Sequence, residues 1–540
     1  MSGALVASLP LAVLLVGLPI LMKPAVKVAP VAWAVTVLIA IFWFGFPAEV
    51  TLRAAAQGAL FGVFPIMFIP FGALVVYNTL KTTGWMDKMQ AAMAGLTTDR
   101  TAQALLIGFG FSAFLEGICG FGAPVAIPAS ILVGLGYDPF MAALVCLVAN
   151  TGPVPFGSLA IPTDTLALTT GLDVLKLSQM TGRLMAPLAF LMAFATVYVM
   201  GKGKAVRAAL PLILVTGFSF AATELLVSNL VGGTLTAILG GLVCMASTAA
   251  YLSWQRKVDP LYATPSVGAA HAVPQVHPKD LFLSWLPYLL LAVLVIGVNL
   301  PSTKPLFAGK APGWEWMAIK LQIYNPKKLY AFTWLQSPGT IMLLAGALAF
   351  PFLGISFRTY GQQFGKTLKQ MIPSFVAVAS ILSISEVMNL ALPIVDPKTN
   401  LAVFGDLATK QMSMVATMAN AIVASVHQTV YPALAPVFGT VGVFLTGSNT
   451  SANALFGNLQ KLTAQGMGLS DVLMASVGSA GASAGKMISP QSIVIAATAV
   501  GLLGSEGKIM RRTFLYTVPY VILLGLMAWA YAFLWPGLVP

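Results

Sequence analysis

Charge is what this sequence has least of. Only 8% of its 540 residues are Asp, Glu, Lys or Arg, against 58% hydrophobic, and the mean hydropathy is +0.88. A soluble chain carries roughly 25% charged residues to keep its surface in water. A large core does not account for the deficit, because single cores stop growing near about 250–300 residues. Lipid must therefore cover much of the surface, and apolar runs able to cross a roughly 30 Å hydrocarbon layer recur along the chain.

Other absences narrow the class. The cysteines, Cys119, Cys146 and Cys244, have no CxxC spacing, so neither a disulfide framework nor a zinc site is indicated. No GxxxxGK[ST] run is present, which argues against an ATP-driven pump. Clustered His, Asp or Cys ligands for a metal are missing, and no serine can be paired with a base, so an enzyme is not expected. The net charge of +13 comes without a basic stripe interleaved with aromatics, so nucleic acid is not an expected partner. Excess Lys and Arg reads instead as cytoplasmic loops of a membrane protein. The first apolar run ends at Met22-Lys23-Pro24 without a basic start, and reads as a first span rather than a cleaved signal.

What is present predicts an all-α integral membrane protein. About 12–14 transmembrane helices are expected, plus two re-entrant hairpins or broken helices in an inverted repeat. Candidate spans fall at about 4–22, 28–46, 57–79, 101–117, 139–155, 183–200, 208–228 and 231–252. A second series follows at about 284–300, 338–355, 371–391, 412–427, 430–446, 470–485, 487–503 and 514–536. Residues 1–254 form a first half, with a repeat unit at about 57–200 and a hairpin at about 114–135. A Pro-rich cytoplasmic linker, 255–283, carries His271 and His277. Residues 284–540 form the second half, with a repeat unit at about 371–536 and a hairpin at about 444–465. An extramembrane loop at 301–337 carries Trp314, Trp316 and Trp334 as interfacial anchors. Placing the Lys/Arg clusters around 202–207, 256–279 and 508–512 in the cytoplasm puts both termini outside. The five lysines of segment 301–337, itself expected outside, run against that rule.

The repeat rests on short matches. Phe114-Leu115-Glu116-Gly117 returns 330 residues later as Phe444-Leu445-Thr446-Gly447, each followed by small residues. Asn150-Thr151-Gly152-Pro153, leading to Ile161-Pro162-Thr163-Asp164, corresponds to the run Ser479 to Lys486, leading to Ser489-Pro490-Gln491. Broken backbone is costly in hydrocarbon unless it is buried in protein or lines a cavity. A break at mid-membrane frees N–H groups at one half-helix start, and such an end attracts carboxylates.

At these residues the sequence resembles the L-lactate permease family. The carrying stretches are Phe114 to Pro128, Asn150 to Pro162, Gly447 to Asn453 and Ala484 to Ser492, and the length and span layout match as well. The resemblance implies proton-coupled uptake of lactate, and often glycolate, across the bacterial cytoplasmic (inner) membrane, with no cofactor beyond the co-transported proton. It also implies a relation to ion transporters that use paired hairpins with Ser-Asn-Thr motifs. Ser448-Asn449-Thr450 fits that motif, whereas Gly117-Ile118-Cys119 departs from it. A sodium-coupled carboxylate transporter is the nearest alternative, and an anion channel, which wants rings of like charge, the next.

Candidate substrate contacts are the small and polar residues at the breaks: Gly117, Gly120, Gly122, Asn150, Thr151, Ser448, Asn449, Thr450, Ser451, Lys486 and Gln491. Lys486 would supply positive charge for a carboxylate. Ionisable groups at membrane depth cost on the order of 2.5–3.5 kcal/mol by insertion scales, so each is a candidate for proton coupling. Those chosen are Glu116, directly before the Gly-rich break; His427, the histidine in a span-like segment; Asp164; and Glu386. Glu224 sits in an apolar run as well, and Arg183 reads as an interfacial residue. Small monocarboxylates and membrane lipid are the expected partners; the oligomeric state is not legible.

Overall fold

The structure, a computed structural model, describes residues 2–21, 23–95, 97–120, 122–258, 277–300, 302–323, 330–390, 394–395, 402–403, 412–502 and 504–540. Residues 259–276 of the expected linker, His271 among them, lie outside the described residues. Among the described residues nine helices are long and apolar enough to cross a membrane. They become ten when the bent pair Pro139–Ala149 and Val154–Thr170 counts as one span. Other apolar segments, such as Pro338–Leu353 and Tyr431–Thr446, form helices of 10–17 residues. The chain is thus a multi-pass, all-α membrane protein.

Eight helices, in two sets of four, carry most of the residues that line the main cavity or pack directly behind them. The first set is α1 (Arg100–Ile118), α2 (Ala123–Gly134), α3 (Pro139–Ala149) and α4 (Gly157–Thr170). The second is α5 (Tyr431–Thr446), α6 (Asn449–Gly466), α7 (Asp471–Ile488) and α8 (Pro490–Ala499).

α1 and α2 form a hairpin. Arg100 Nη2 donates to Gly136 O at 3.3 Å and the Tyr137 hydroxyl donates to Arg100 O, so both ends meet. Nearer the tip, Ser112 Oγ donates to Pro124 O at 2.7 Å. This hairpin extends the one expected at 114–135 back to Arg100, so the segment expected as a span at 101–117, itself long and apolar enough to cross a membrane, is also its first arm.

α5 and α6 form the second hairpin, which likewise absorbs the span expected at 430–446. The Tyr431 hydroxyl donates to Gln460 Oε1 at 2.6 Å, Gln460 Nε2 donates to Ala435 O at 2.8 Å, and Gly442 faces Ala452.

The halves pack reciprocally. α6 lies on α4, where Asn453 Nδ2 donates to Pro162 O at 2.8 Å and Lys461 Nζ to Thr170 O at 3.0 Å. α8 lies on α2, with Ser130 Oγ donating to Ala499 O at 3.1 Å.

The run Ser479 to Lys486, expected as a break, is uninterrupted helix within α7. Its glycines serve close packing. A Cβ at Gly481 would stand 2.2 Å from Pro436 O and one at Gly485 2.3 Å from Thr440 O, both on α5. Small residues let helix backbones approach where lipid supplies no hydrophobic drive. The break falls after the run, at Ser489, which caps Pro490 at the first position of α8.

Candidate functional site

The two hairpin tips and the two interhelix breaks converge on one cavity of about 250 Å³. Its lining includes Glu116 on α1, Gly120 and Gly122 at the first tip, Gly157 and Ser158 at the start of α4, Lys486 on α7, and Gln491 on α8. Gly447, Ser448, Asn449, Thr450 and Ser451 line it from the second tip.

An ion pair spans it. Lys486 Nζ stands 2.6 Å from Glu116 Oε1, with side-chain exposures of 12% and 4%. Asn150 Nδ2 donates to the other oxygen, Glu116 Oε2, at 3.1 Å and to Ser112 Oγ at 3.3 Å. Glu116 therefore has partners on both oxygens. Removing one member of a buried pair leaves the other charge uncompensated and costs about 3–5 kcal/mol.

Helix starts point at the same space. Gly122 precedes α2, Ser448 precedes α6, and Ser489 precedes α8. Helix N-termini carry unpaired N–H groups and roughly half a positive charge, so they favour an anion. Of the neutral groups, Asn449 Nδ2 donates to Ser479 O at 3.2 Å, while its Oδ1 is buried without a partner among the described residues. That oxygen is free to accept from a hydroxyl.

The backbone is strained here. Ser158, Leu159 and Ala160 have φ of 46°, 61° and 65°, a left-handed turn at three consecutive non-glycine residues. Each costs roughly 1–2 kcal/mol, and such strain persists only where surrounding structure holds it. Gly447, with φ 71°, would put a Cβ 2.2 Å from Gln491 Oε1; both its conformation and its neighbour require glycine.

The structure separates the sequence candidates. Glu116, Gly120, Gly122, Ser448, Asn449, Thr450, Ser451, Lys486 and Gln491 line the cavity. Asn150 stands behind it, holding Glu116. Gly117 does not reach it: a Cβ there would meet Ile238 N at 2.7 Å, so its role is close packing on the helix that carries Ile238. Thr151 is turned back, donating to Leu147 O at 3.4 Å. His427 is exposed in the connection before α5, with Nδ1 2.8 Å from Thr429 Oγ1, because the chain turns there instead of continuing a span. Glu386 is buried in the helix Phe357–Met388, where Gln57 Nε2 stands 3.5 Å away, and is no part of the cavity. Asp164 faces a different cavity. Glu224 is fully buried, with both oxygens unpartnered among the described residues. Arg183 donates to Asn229 Oδ1 at 3.0 Å and to Leu538 O at 2.5 Å.

Sequence reading missed Ser112, Gly157 and Ser158. The last two stand inside the Asn150 to Pro162 stretch, so the signal was present, but nothing local tells which residue of a broken segment faces inward.

This is the geometry of a membrane protein whose cavity brings together one Lys–Glu ion pair and three helix starts. The sequence profile of the family described as L-lactate permease matches residues 3–535. The L-lactate permease of Bacillus subtilis (strain 168) is 35% identical over 94% of this chain and 92% of its own. Glycolate permease GlcA of Escherichia coli (strain K12) is 31% identical over 99% of this chain and 97% of its own. Among solved structures, Neisseria gonorrhoeae MtrF aligns over 97% of this chain and 98% of its own at 10% identity, with a TM-score of 0.49. The chain belongs to the L-lactate permease family.

Proposed function

We propose that the protein is a secondary transporter that carries L-lactate, and other small 2-hydroxy monocarboxylates such as glycolate, with a proton across the cytoplasmic membrane. The Glu116–Lys486 pair is the observation that supports this reading most. Lys486 is held by an internal carboxylate in the very cavity where helix starts favour an anion. A substrate carboxylate competes with Glu116 for Lys486. Once displaced, Glu116 is a buried carboxylate without a cation, and neutralising it by a proton is cheaper than leaving it charged. One anion and one proton then occupy the site together, and their charges cancel. Release runs in reverse: Glu116 gives up its proton, re-forms the pair with Lys486 and expels the carboxylate.

The substrate's 2-hydroxyl donates to Asn449 Oδ1, which supports a hydroxy acid over a plain one. Alternating access follows if the two sets of helices are inversely oriented and one moves against the other, as the reciprocal packing of α6 on α4 and α8 on α2 supports. The kinship to proteins named lactate and glycolate permeases supports the substrate class.

The test is uptake of radiolabelled L-lactate into sodium-free proteoliposomes after a pH jump, comparing wild type with Glu116→Gln. Wild type should accumulate lactate. The variant should lose gradient-driven accumulation while lactate–lactate exchange persists, since Lys486 stays available. Accumulation only after sodium is added would overturn proton coupling, and absence of lactate transport in every condition would overturn the substrate.

A further inference from the structure

A second cavity, of about 320 Å³, shares with the first a single lining residue, Ile161. It continues along the Ile161–Asp164–Leu168 face of α4, residues three and four apart that stack on one side of a helix. Its other walls include Thr234, the strand β2 (Tyr330–Thr333), and the start of the helix Pro338–Ala349. β2 pairs antiparallel with β1 (Ala318–Leu321), so this chamber lies under the β hairpin of the extramembrane loop.

Two of its polar groups, Asp164 and Ser337, are under-satisfied. Asp164 is the one ionisable residue lining it, and its carboxylate has no hydrogen-bond or ion-pair partner among the described residues. Ser337 is 5% exposed, and its Oγ has no partner either. The hydroxyls of Thr234 and Thr333 also border the space. A cavity of this size with unpartnered polar groups suits water, whereas an apolar one stays dry. Of the described ionisable groups on helices packed against α4, Glu116 and Lys486 line the first cavity and Lys461 donates to Thr170 O, while Tyr77, Lys81, Lys176, Arg183, Tyr198, Lys202, Lys204, Arg207, Tyr251 and Asp471 line neither cavity. None shares the chamber with Asp164. A monocarboxylate would meet only like charge there, while a proton meets an acceptor.

We propose that this chamber is the proton's route to Glu116 on the β-hairpin side, with Asp164 as the relay and Ile161 as the apolar barrier between proton path and substrate cavity. The inference rests on the proton-coupled reading above. In the relay, a proton from the bulk medium, carried as hydronium along water in the chamber, binds the Asp164 carboxylate and leaves neutral water behind. That proton then passes through water to the Glu116 carboxylate freed from Lys486, and Asp164 returns to its anion. No other bond changes. Ile161, at the junction of the two cavities, lets a proton be handed across along water without opening a continuous path for the larger anion.

The experiment uses the full chain in sodium-free proteoliposomes, with Asp164→Asn, Asp164→Glu and wild type assayed for pH-driven L-lactate uptake and for lactate–lactate exchange. Asp164→Asn should slow driven uptake at least tenfold and leave exchange unchanged, which also reports that the variant is folded. Asp164→Glu, which keeps a carboxyl group, should restore most of the driven uptake. Driven uptake by Asp164→Asn equal to wild type overturns the relay while leaving proton coupling intact. Equal loss of uptake and exchange, unrescued by Glu, also overturns it, since Asp164 would then be structural. Absence of pH-driven uptake in wild type would instead overturn the coupling on which the relay depends.

Discussion

The two hairpins have the same shape and opposite chemistry. The first turns through Cys119, Gly120 and Gly122, with φ of 51° and 88° at the two glycines, and among the described residues offers no Ser, Thr or Asn at its tip. It contributes a charge instead, Glu116, from the end of its first arm. The second turns in two residues, Gly447 and Ser448, and presents Ser448, Asn449, Thr450 and Ser451 at the start of α6. One hairpin brings a carboxylate to the cavity; the other brings neutral polar side chains and a helix start. Under the proposed function, the departure of the first tip from a Ser-Asn-Thr pattern corresponds to a division of work between proton and substrate.

That division can be tested from the largest effect down. Lys486→Ala removes the cation both hairpins address and leaves Glu116 buried alone. A loss of about 3–5 kcal/mol predicts at least a roughly hundredfold fall in lactate exchange, read as kcat/KM in proteoliposomes. Glu116→Gln should strike coupling while sparing exchange, which would mark the first hairpin as the proton side. Gly447→Ala should be worse than substitution of a surface glycine. It forces a left-handed alanine, at roughly 1–2 kcal/mol, and drives a Cβ into Gln491; the readout is a roughly tenfold drop in transport with a lowered Tm. Asn449→Ala should have the smallest effect, a several-fold rise in KM for lactate with little change for propionate, which lacks the 2-hydroxyl. An equal rise for both acids would remove Asn449 from hydroxyl recognition.

Much of this was legible beforehand, for identifiable reasons. Glu116 stood out because a carboxylate at the end of an apolar run is costly anywhere else, and Lys486 for the same reason in the other half. The tip residues 448–451 were readable because they follow the repeat of Phe114-Leu115-Glu116-Gly117 at Phe444-Leu445-Thr446-Gly447 and open on a Ser-Asn-Thr run. His427 and Glu386 carried the same sequence signal as Glu116, an ionisable group in an apolar segment. Yet one falls in an exposed turn and the other is buried away from the cavity. Composition reports that a charge is near the membrane, not which way its helix faces. The glycines show the same limit. Gly120 and Gly447 turn the chain, while Gly481 and Gly485 let α7 lie against α5, and a count of glycines cannot separate the two uses.

The sequence alone determined that this chain lives in lipid, that its backbone breaks in the small-residue runs after Glu116 and after Gly447 and near Asn150–Pro153, and, through its motifs, which family it resembles. The first two follow from local composition, since hydrocarbon penalises charge and unpaired backbone wherever they occur. Tertiary structure decided that residues 370 positions apart, Glu116 and Lys486, are one ion pair at 2.6 Å. It also decided that 101–117 pairs with 123–134 as a hairpin, and that Asp164 faces its own chamber. Those outcomes depend on which helix faces meet, and the energy that chooses among them comes from contacts between segments far apart in the chain.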